Sequence, residues 1–293
     1  MQTEIVNCDL CGSSDYAVVW DKVERQALGI MDSVTIKEND VIYNGVTVQC
    51  KVCGLIYIRE RLTADELANY YVNEYRNNYE TNSDSEHEHC DLVIRYLDVF
   101  SPKPAKSLDI GCSQGFLVKV LYENGIDAYG IDTTKLSDSS RVFDISLQDF
   151  DGKGYDLITI INTLEHMYSP KEALNKIHDM LTDDGKVLVV VPNFYTLVIK
   201  NTSDGFMSNM HLYHFDMYTL TQYLRVCGFK VIDCSIVDER NMQKLYILAE
   251  KSEKKPLSLK RKINTTETTW RINSMNLMVY SAKNIMQIAK ENT

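Results

Sequence analysis

Two cysteine pairs of matched spacing offer the first chemistry in this chain. Cys8-Asp-Leu-Cys11-Gly12 and Cys50-Lys-Val-Cys53-Gly54 each put two thiols on one tight turn. Zinc prefers four ligands in a tetrahedron, and two such turns supply four thiolates. The glycine after the second cysteine suits positive φ or a close backbone approach. A closed four-thiolate centre at Cys8, Cys11, Cys50 and Cys53 has no open position, so it implies structural Zn2+ rather than a catalytic ion. The alternative is a pair of redox dithiols or buried thiols. Cys90, Cys112, Cys227 and Cys234 show no ligand spacing and read as small buried hydrophobes. His87-Glu-His89-Cys90 alternates at a helix start and reads as a solvated face before a metal cluster.

The second chemical signal is a glycine turn. Ser107-Leu-Asp109-Ile-Gly111-Cys112-Ser113-Gln-Gly115-Phe-Leu117 reads as a strand, a turn and a helix start. Glycines there let the backbone approach a ligand and aim its N–H groups at it. Asp132 ends the next strand, 21 residues after Gly111, where a carboxylate can accept hydrogen bonds from a ribose diol. A dinucleotide fingerprint needs Gly-x-Gly-x-x-Gly, whereas here Ser113 holds the middle position and the last glycine comes one residue early. Asp109 would repel a pyrophosphate and attract a cationic amino-acid group. These features favour S-adenosylmethionine over a dinucleotide.

The elements that position these groups fall into two kinds. Residues 1–59 read as a small β-module with a cysteine pair at each end, and Asn44-Gly45 within it is a hairpin signal. Thr63-Ala-Asp-Glu66 has capping-box spacing and opens a Tyr-rich stretch containing Tyr70, Tyr71, Tyr75 and Tyr79. Residues 80–90 read as a polar loop and residues 91–100 as a helix that stops at Pro102. From Lys106 strands and helices alternate, which predicts a parallel sheet with helices on both faces. A short loop near Asp238–Gln243 joins the last two strands as an antiparallel hairpin. The expected units are 1–59, a helical connector or lid at 60–104, a core at 105–250, and a basic linker with a C-terminal helix at 251–293.

Several of these stretches together resemble class I S-adenosylmethionine-dependent methyltransferases over roughly residues 105–250. They are Leu108-Asp-Ile-Gly-Cys-Ser-Gln-Gly115, Gly130-Ile-Asp132, Tyr155-Asp-Leu-Ile158, Leu164-Glu-His166, Leu181-Thr-Asp-Asp-Gly-Lys186, Val191-Pro-Asn193 and Cys227-Gly-Phe229. The resemblance implies an α/β, Rossmann-like seven-stranded sheet with an antiparallel last strand, here beside a small N-terminal zinc-ribbon module. It implies a cofactor site at Asp109, Gly111, Cys112, Ser113, Gly115, Asp132 and Asn162, with adenine beside Ser146 and Leu147. The chain also resembles bacterial methyltransferases that carry an N-terminal Cys-x-x-Cys zinc ribbon, including sugar C-methyltransferases. Those usually carry a further C-terminal α/β domain, which is not expected in the roughly 43 residues after Glu250.

Methyl transfer to a hydroxyl needs in-line positioning and removal of a proton. Glu165 and His166 leave the fourth strand at the ligand-facing edge, as a base and its orienting partner. In the sugar enzymes the matching pair lines the substrate pocket; in ubiquinone-pathway O-methyltransferases a related Glu-x-x-Glu-His holds a divalent metal, and Asn162 replaces its first Glu here. The bland alternative is that Glu165 caps the next helix while His166 only packs. His214, or His211 beside it, is a second base candidate, and Tyr71, Tyr75 and Arg76 could close over the cofactor or form core.

The chain has 293 residues and a net charge of −10, which argues against a nucleic-acid partner. Its longest apolar runs are too short to span a bilayer, and no secretory signal is visible at Met1, so a cytoplasmic protein is expected. The implied partner is a small-molecule acceptor, such as a nucleotide-linked sugar or another polysaccharide or natural-product precursor, methylated on O or C. Lys200 or the basic segment 251–262 could hold its phosphates. The terminal helix could pack on its own core or pair with a second copy as a homodimer. The competing readings are a protein or RNA substrate docked through the ribbon, and a non-catalytic cofactor-binding paralogue.

Overall fold

The computed structural model describes residues 2–20, 46–72, 83–98, 103–134, 136–194, 211–239, 242–259, 263–265 and 268. The N-terminal unit holds β1 (Thr3–Ile5), β2 (Tyr16–Trp20), β3 (Thr47–Cys50), β4 (Ile56–Ile58) and β5 (Glu60–Leu62), followed by α1 (Ala64–Tyr70) and α2 (Ser83–Leu97). Then come β6 (Lys106–Ile110), α3 (Phe116–Glu123), β7 (Asp127–Asp132), β8 (Val142–Asp144), β9 (Tyr155–Ile161) and a 3-10 turn at Leu164–His166. The rest is α4 (Pro170–Met180), β10 (Leu181–Pro192), β11 (Tyr213–His214), α5 (Met217–Val226), β12 (Phe229–Glu239) and β13 (Met242–Lys251).

Seven strands form one sheet in the order β12-β13-β10-β9-β6-β7-β8. β13 runs antiparallel to both neighbours, and the pairs among β6, β7, β8, β9 and β10 are parallel. This is the expected seven-stranded α/β sheet, closed by the expected β12–β13 hairpin. Continuous apolar runs, rather than alternating ones, mark strands covered on both faces. In β10, Val187, Val189 and Val191 face α4 and α5, where Leu174, Ile177, Leu220 and Leu224 lie. Its alternate residues Leu188 and Val190 face α2 and α3, with Val93, Leu97, Leu117 and Leu121.

Local signals set the helix starts. The Ser169 side chain caps α4 and Pro170 fills its first position. Asp216 and Thr219 form a reciprocal capping box at α5. At α1 the expected box is open: Thr63 Oγ1 accepts the Glu66 N–H, but the Glu66 carboxylate accepts the Gln2 N–H at 3.1 Å. The Thr63 N–H goes to the Gln2 carbonyl, so Gln2, just before β1, completes this cap. α2 begins at Ser83, inside the stretch expected to be a loop. Its first two turns are polar and acidic, which suits a helix N-terminus but hides the apolar period.

The N-terminal unit is not a separate body. Leu10, Val48, Leu55 and Tyr57 belong to the same apolar cluster as α4 and α5. Its sheet has the order β11-β4-β3-β2, so a strand from the C-terminal half completes it. Asn44-Gly45, Tyr75, Arg76, Lys200 and the terminal helix fall outside the described residues, as do the side chains of His87 and His89. Among the described residues, no helix is long and apolar enough to cross a membrane.

Candidate functional site

The β2–β3 pairing brings the two cysteine turns together, with Tyr16 opposite Cys50. Both turns have the same form: Gly12 N–H bonds the Cys8 carbonyl and Gly54 N–H bonds the Cys50 carbonyl, at 2.7 and 2.9 Å. Their φ angles are +75° and +82°, the region where glycine is favoured. Cys8 Sγ lies 3.4 Å from Cys53 Sγ, and Cys11 Sγ lies 3.5 Å from Cys50 Sγ. All four are free thiols whose ligand atoms lie within 4.8 Å of one another. Those separations far exceed a disulfide bond of about 2.05 Å. They approach the ~3.8 Å edge of a zinc–thiolate tetrahedron built from bonds of about 2.3 Å. Neighbouring thiols and burial push the Cys8 thiol up, so a bound cation is what would let the group ionise. The residues fit zinc.

The glycine turn lies between β6 and α3. Gly111, Ser113 and Gly115 have φ of +73°, +49° and +79°. The Asp132 Oδ2 accepts the Ser113 N–H at 2.8 Å, and Oδ1 accepts the Thr134 N–H at 2.8 Å and its hydroxyl. Asp132 therefore braces the turn and keeps one lone-pair site on Oδ2 for a ribose hydroxyl. Asp109 is buried, and its Oδ1 accepts the Thr159 hydroxyl at 2.6 Å. The Ile145 N–H bonds the Asp132 carbonyl, which sets Ser146 and the buried Leu147 beside that strand end. Ser146 donates to Asp149 at 2.6 Å. The Cys112 thiol packs where a Cβ on Gly130 would come within 2.5 Å of it. Asn162, at φ +48°, leaves β9 with its side chain exposed and its N–H on the Val190 carbonyl.

A Cβ on Gly111 would lie 2.3 Å from Thr163 Oγ1, which is itself held on the Ile161 carbonyl at 2.9 Å. Gly111→Ala combines that clash with a positive φ. It is expected to lose about 2 kcal/mol or more, read as a lowered midpoint in thermal unfolding.

The second group of candidates converges at the 3-10 turn. Glu165 is 2 % exposed, and neither carboxylate oxygen has a hydrogen-bond partner among the described residues. Burial pushes its carboxyl up to about 8, against a small opposing pull from its own backbone N–H and from Lys244. His166 Nε2 lies 3.9 Å from Glu165 Oε1, too far for a hydrogen bond. The group that orients His166 is instead Tyr71, whose Oη lies 3.0 Å from Nδ1. Glu165 does not cap α4, because Ser169 does. The His211 ring centroid lies 4.6 Å from that of His166 and 6.3 Å from that of the buried His214. Burial, then His166 and His214, hold the His211 imidazole well below its ordinary range.

Ligand atoms of Glu165, His166 and His211 lie within 4.8 Å of one another. Such a trio could hold a cation or a shared proton. Asn162 adds no negative charge to it, which favours the proton. Thr163 joins this cluster to the cofactor turn: its side chain lies against Gly111, and its carbonyl accepts the His166 N–H at 3.0 Å.

Sequence reasoning named Glu165, His166, His211, His214 and Tyr71, but not the arrangement that ties Tyr71 to His166. It missed Arg61, which belongs to no motif in Ile56-Tyr-Ile-Arg-Glu-Arg-Leu62.

A seven-stranded sheet with one antiparallel strand and a braced glycine turn at its edge defines a nucleoside-binding α/β enzyme. Residues 81–233, more than half of the chain, match the methyltransferase domain family, and the chain belongs to it: it is an S-adenosylmethionine-dependent methyltransferase. No curated protein matches it by sequence. Among solved structures it is similar to 1,6-didemethyltoxoflavin-N1-methyltransferase of Burkholderia thailandensis, at 18 % identity, covering 71 % of this chain and 96 % of that one, with a TM-score of 0.49. A chain from the complex of the Haloferax volcanii Trm112 methyltransferase activator and a methyltransferase is 12 % identical, with 66 % and 100 % covered and a TM-score of 0.50. A Nostoc punctiforme PCC 73102 protein described as an O-methyltransferase is 19 % identical, with a TM-score of 0.44. That match covers 58 % of this chain and spans 57 % of the Nostoc protein.

Proposed function

We propose that this methyltransferase acts on a small molecule, a sugar nucleotide or another polysaccharide or natural-product precursor, at O or C. The reading rests first on Thr163, which puts the cofactor turn and the Glu165–His166 segment in direct contact. The ribbon-and-core arrangement resembles sugar methyltransferases.

When bound, S-adenosylmethionine supplies an electrophilic methyl group on a sulfonium. The chain's own residues do the rest. Asp132 accepts from a ribose hydroxyl, the turn at Gly111, Cys112, Ser113 and Gly115 lets the backbone approach the cofactor closely, and Asp109 sets a negative charge behind it. Ser146 and Leu147 flank the adenine, and Asn162 lines the edge toward the acceptor. His166 donates from Nδ1 to Tyr71 Oη and takes the acceptor's proton at Nε2. Glu165 lies beside the new imidazolium, and His214 and His211 shape the far wall. Cys8, Cys11, Cys50 and Cys53 hold structural zinc. In this reading residues 1–59 are the ribbon, 60–104 the connector, 105–250 the catalytic core and 251–293 an extension.

Incubation with labelled S-adenosylmethionine and a panel of sugar nucleotides should give a product heavier by one CH₂. Asp132→Asn loses a charged acceptor for the ribose and should weaken cofactor binding about tenfold or more in calorimetry. Unchanged affinity in that variant, or cofactor binding with no acceptor methylated in any extract, would overturn the assignment.

A further inference from the structure

Arg61 on β5 is 4 % exposed, and its surroundings are unusual for a buried charge. Its Nη1 donates to the Tyr213 hydroxyl oxygen at 2.9 Å, and its Nη2 donates to the Tyr168 carbonyl at 2.8 Å. Its guanidinium carbon lies 4.3 Å from the Tyr168 ring centroid and 5.4 Å from that of Tyr213. The Tyr213 hydroxyl donates to the same Tyr168 carbonyl at 3.0 Å, which closes a triangle. Glu4, directly opposite Arg61 on β1, sends its carboxylate to the Tyr168 hydroxyl at 2.6 Å.

The two tyrosines tie down the two segments that carry the proposed base cluster. Tyr168 follows His166 by two residues, and Tyr213 lies between His211 and His214. The two segments are far apart in sequence and meet beneath this guanidinium. A cation buried on neutral oxygens and ring faces destabilises a fold relative to an apolar residue of the same size. What it supplies is geometry: a planar fork that fixes two acceptors at once while stacking on two rings.

We infer that Arg61 is a positioning residue that locks the Glu165–His166 segment to the His211–His214 segment, so that the N-terminal unit sets the geometry of the proton-handling cluster. The inference rests on the proposed role of that cluster, but its test does not need the acceptor. Full-length protein labelled with ¹⁵N in histidine gives ring signals for His166, His211 and His178. His178 is an internal reference, because its Nε2 lies 3.0 Å from the Ser252 carbonyl in another part of the fold.

Lysine cannot span both acceptors and stack, so Arg61→Lys should move the His166 and His211 ring signals. It should also shift their titration midpoints by about half a pH unit or more. Tyr213→Phe, which removes one corner of the triangle, should move the same two signals. His178 and S-adenosylmethionine affinity should keep their wild-type values in both variants. Wild-type His166 and His211 signals in both variants would overturn the inference, and so would His178 moving along with them, which would mark a global disturbance. Absence of methyl transfer by the wild-type protein would instead overturn the proposed function and leave the histidine spectra to decide on Arg61.

Discussion

Cys53→Ser is expected to lose both the zinc and at least about 99 % of methyl transfer, although Cys53 touches neither cofactor nor acceptor in the proposed site. Cys50 ends β3, β3 pairs with β4, and β4 pairs with β11, where Tyr213 lies opposite Tyr57 and His214 opposite Ile56. The Tyr57 and Tyr213 rings stack at 6.5 Å. The first cysteine turn reaches the catalytic core separately. Asp9, between Cys8 and Cys11, accepts the Ser169 hydroxyl at 2.7 Å and the Lys171 N–H at 3.0 Å, at the start of α4.

Structural zinc contributes an apparent ~10–16 kcal/mol in small ribbons and fingers. A typical domain has a net stability of only about 5–15 kcal/mol. Opening such a centre would therefore leave no reserve to hold β11 in place. Metal analysis should fall from one zinc per chain to none, and labelled methyl transfer should fall with it. A strong chelator should do the same to the wild-type protein, and added zinc should restore it. Cys234→Ser, on the exposed face of β12, serves as the control and should change neither. Full transfer by zinc-free Cys53→Ser protein would separate the ribbon from catalysis altogether.

The parts of this enzyme that sequence reveals are those built by local rules. The glycine turn and the apolar run of β10 each declare themselves within a dozen residues. Matched Cys-x-x-Cys turns do so as well, because one turn geometry occurs twice. What sequence conceals is contact between distant segments. β11 has two residues, too few to show a period, and its partner is β4, more than a hundred and fifty residues earlier. Glu165 and His166 are adjacent in the chain and so look like partners. In the 3-10 turn their side chains do not meet within hydrogen-bond distance, and Tyr71 takes the place at Nδ1. Arg61 is invisible because its role comes from Tyr168 and Tyr213, neither of which is near it in sequence.

Glu165→Gln is expected to remove a pH dependence of stability that the wild-type protein shows between about pH 5 and 8. The wild-type carboxyl, raised from 4.5 to about 8 by burial, holds its proton in the folded chain and loses it in the unfolded one across that window. The folded state then binds more protons than the unfolded state, so unfolding free energy decreases as pH rises from about 5 and levels off above 8. The full difference is on the order of 3–5 kcal/mol. His166, His211 and Lys244 are the charged or titratable groups nearest to it, and all three remain in the variant. Subtracting the variant's curve from the wild-type curve therefore isolates Glu165.

Glutamine keeps the shape but carries no proton that titrates. Its amide also lacks partners in a pocket where neither Glu165 oxygen has one, so a pH-independent loss of about 1–3 kcal/mol is expected. The slope, rather than the absolute stability, is the diagnostic quantity. Denaturant unfolding at pH 5.5, 7 and 9 reads it directly, and parallel wild-type and variant curves would show that Glu165 is ionised throughout. Above about pH 8, where Glu165 is ionised, the same substitution removes the negative charge that balances a protonated His166. Methyl transfer should therefore fall about ten- to a hundredfold, while the affinity for S-adenosylmethionine stays as it was. A carboxyl buried beside a base costs the scaffold stability once it ionises, and that same charge is what stabilises a protonated His166.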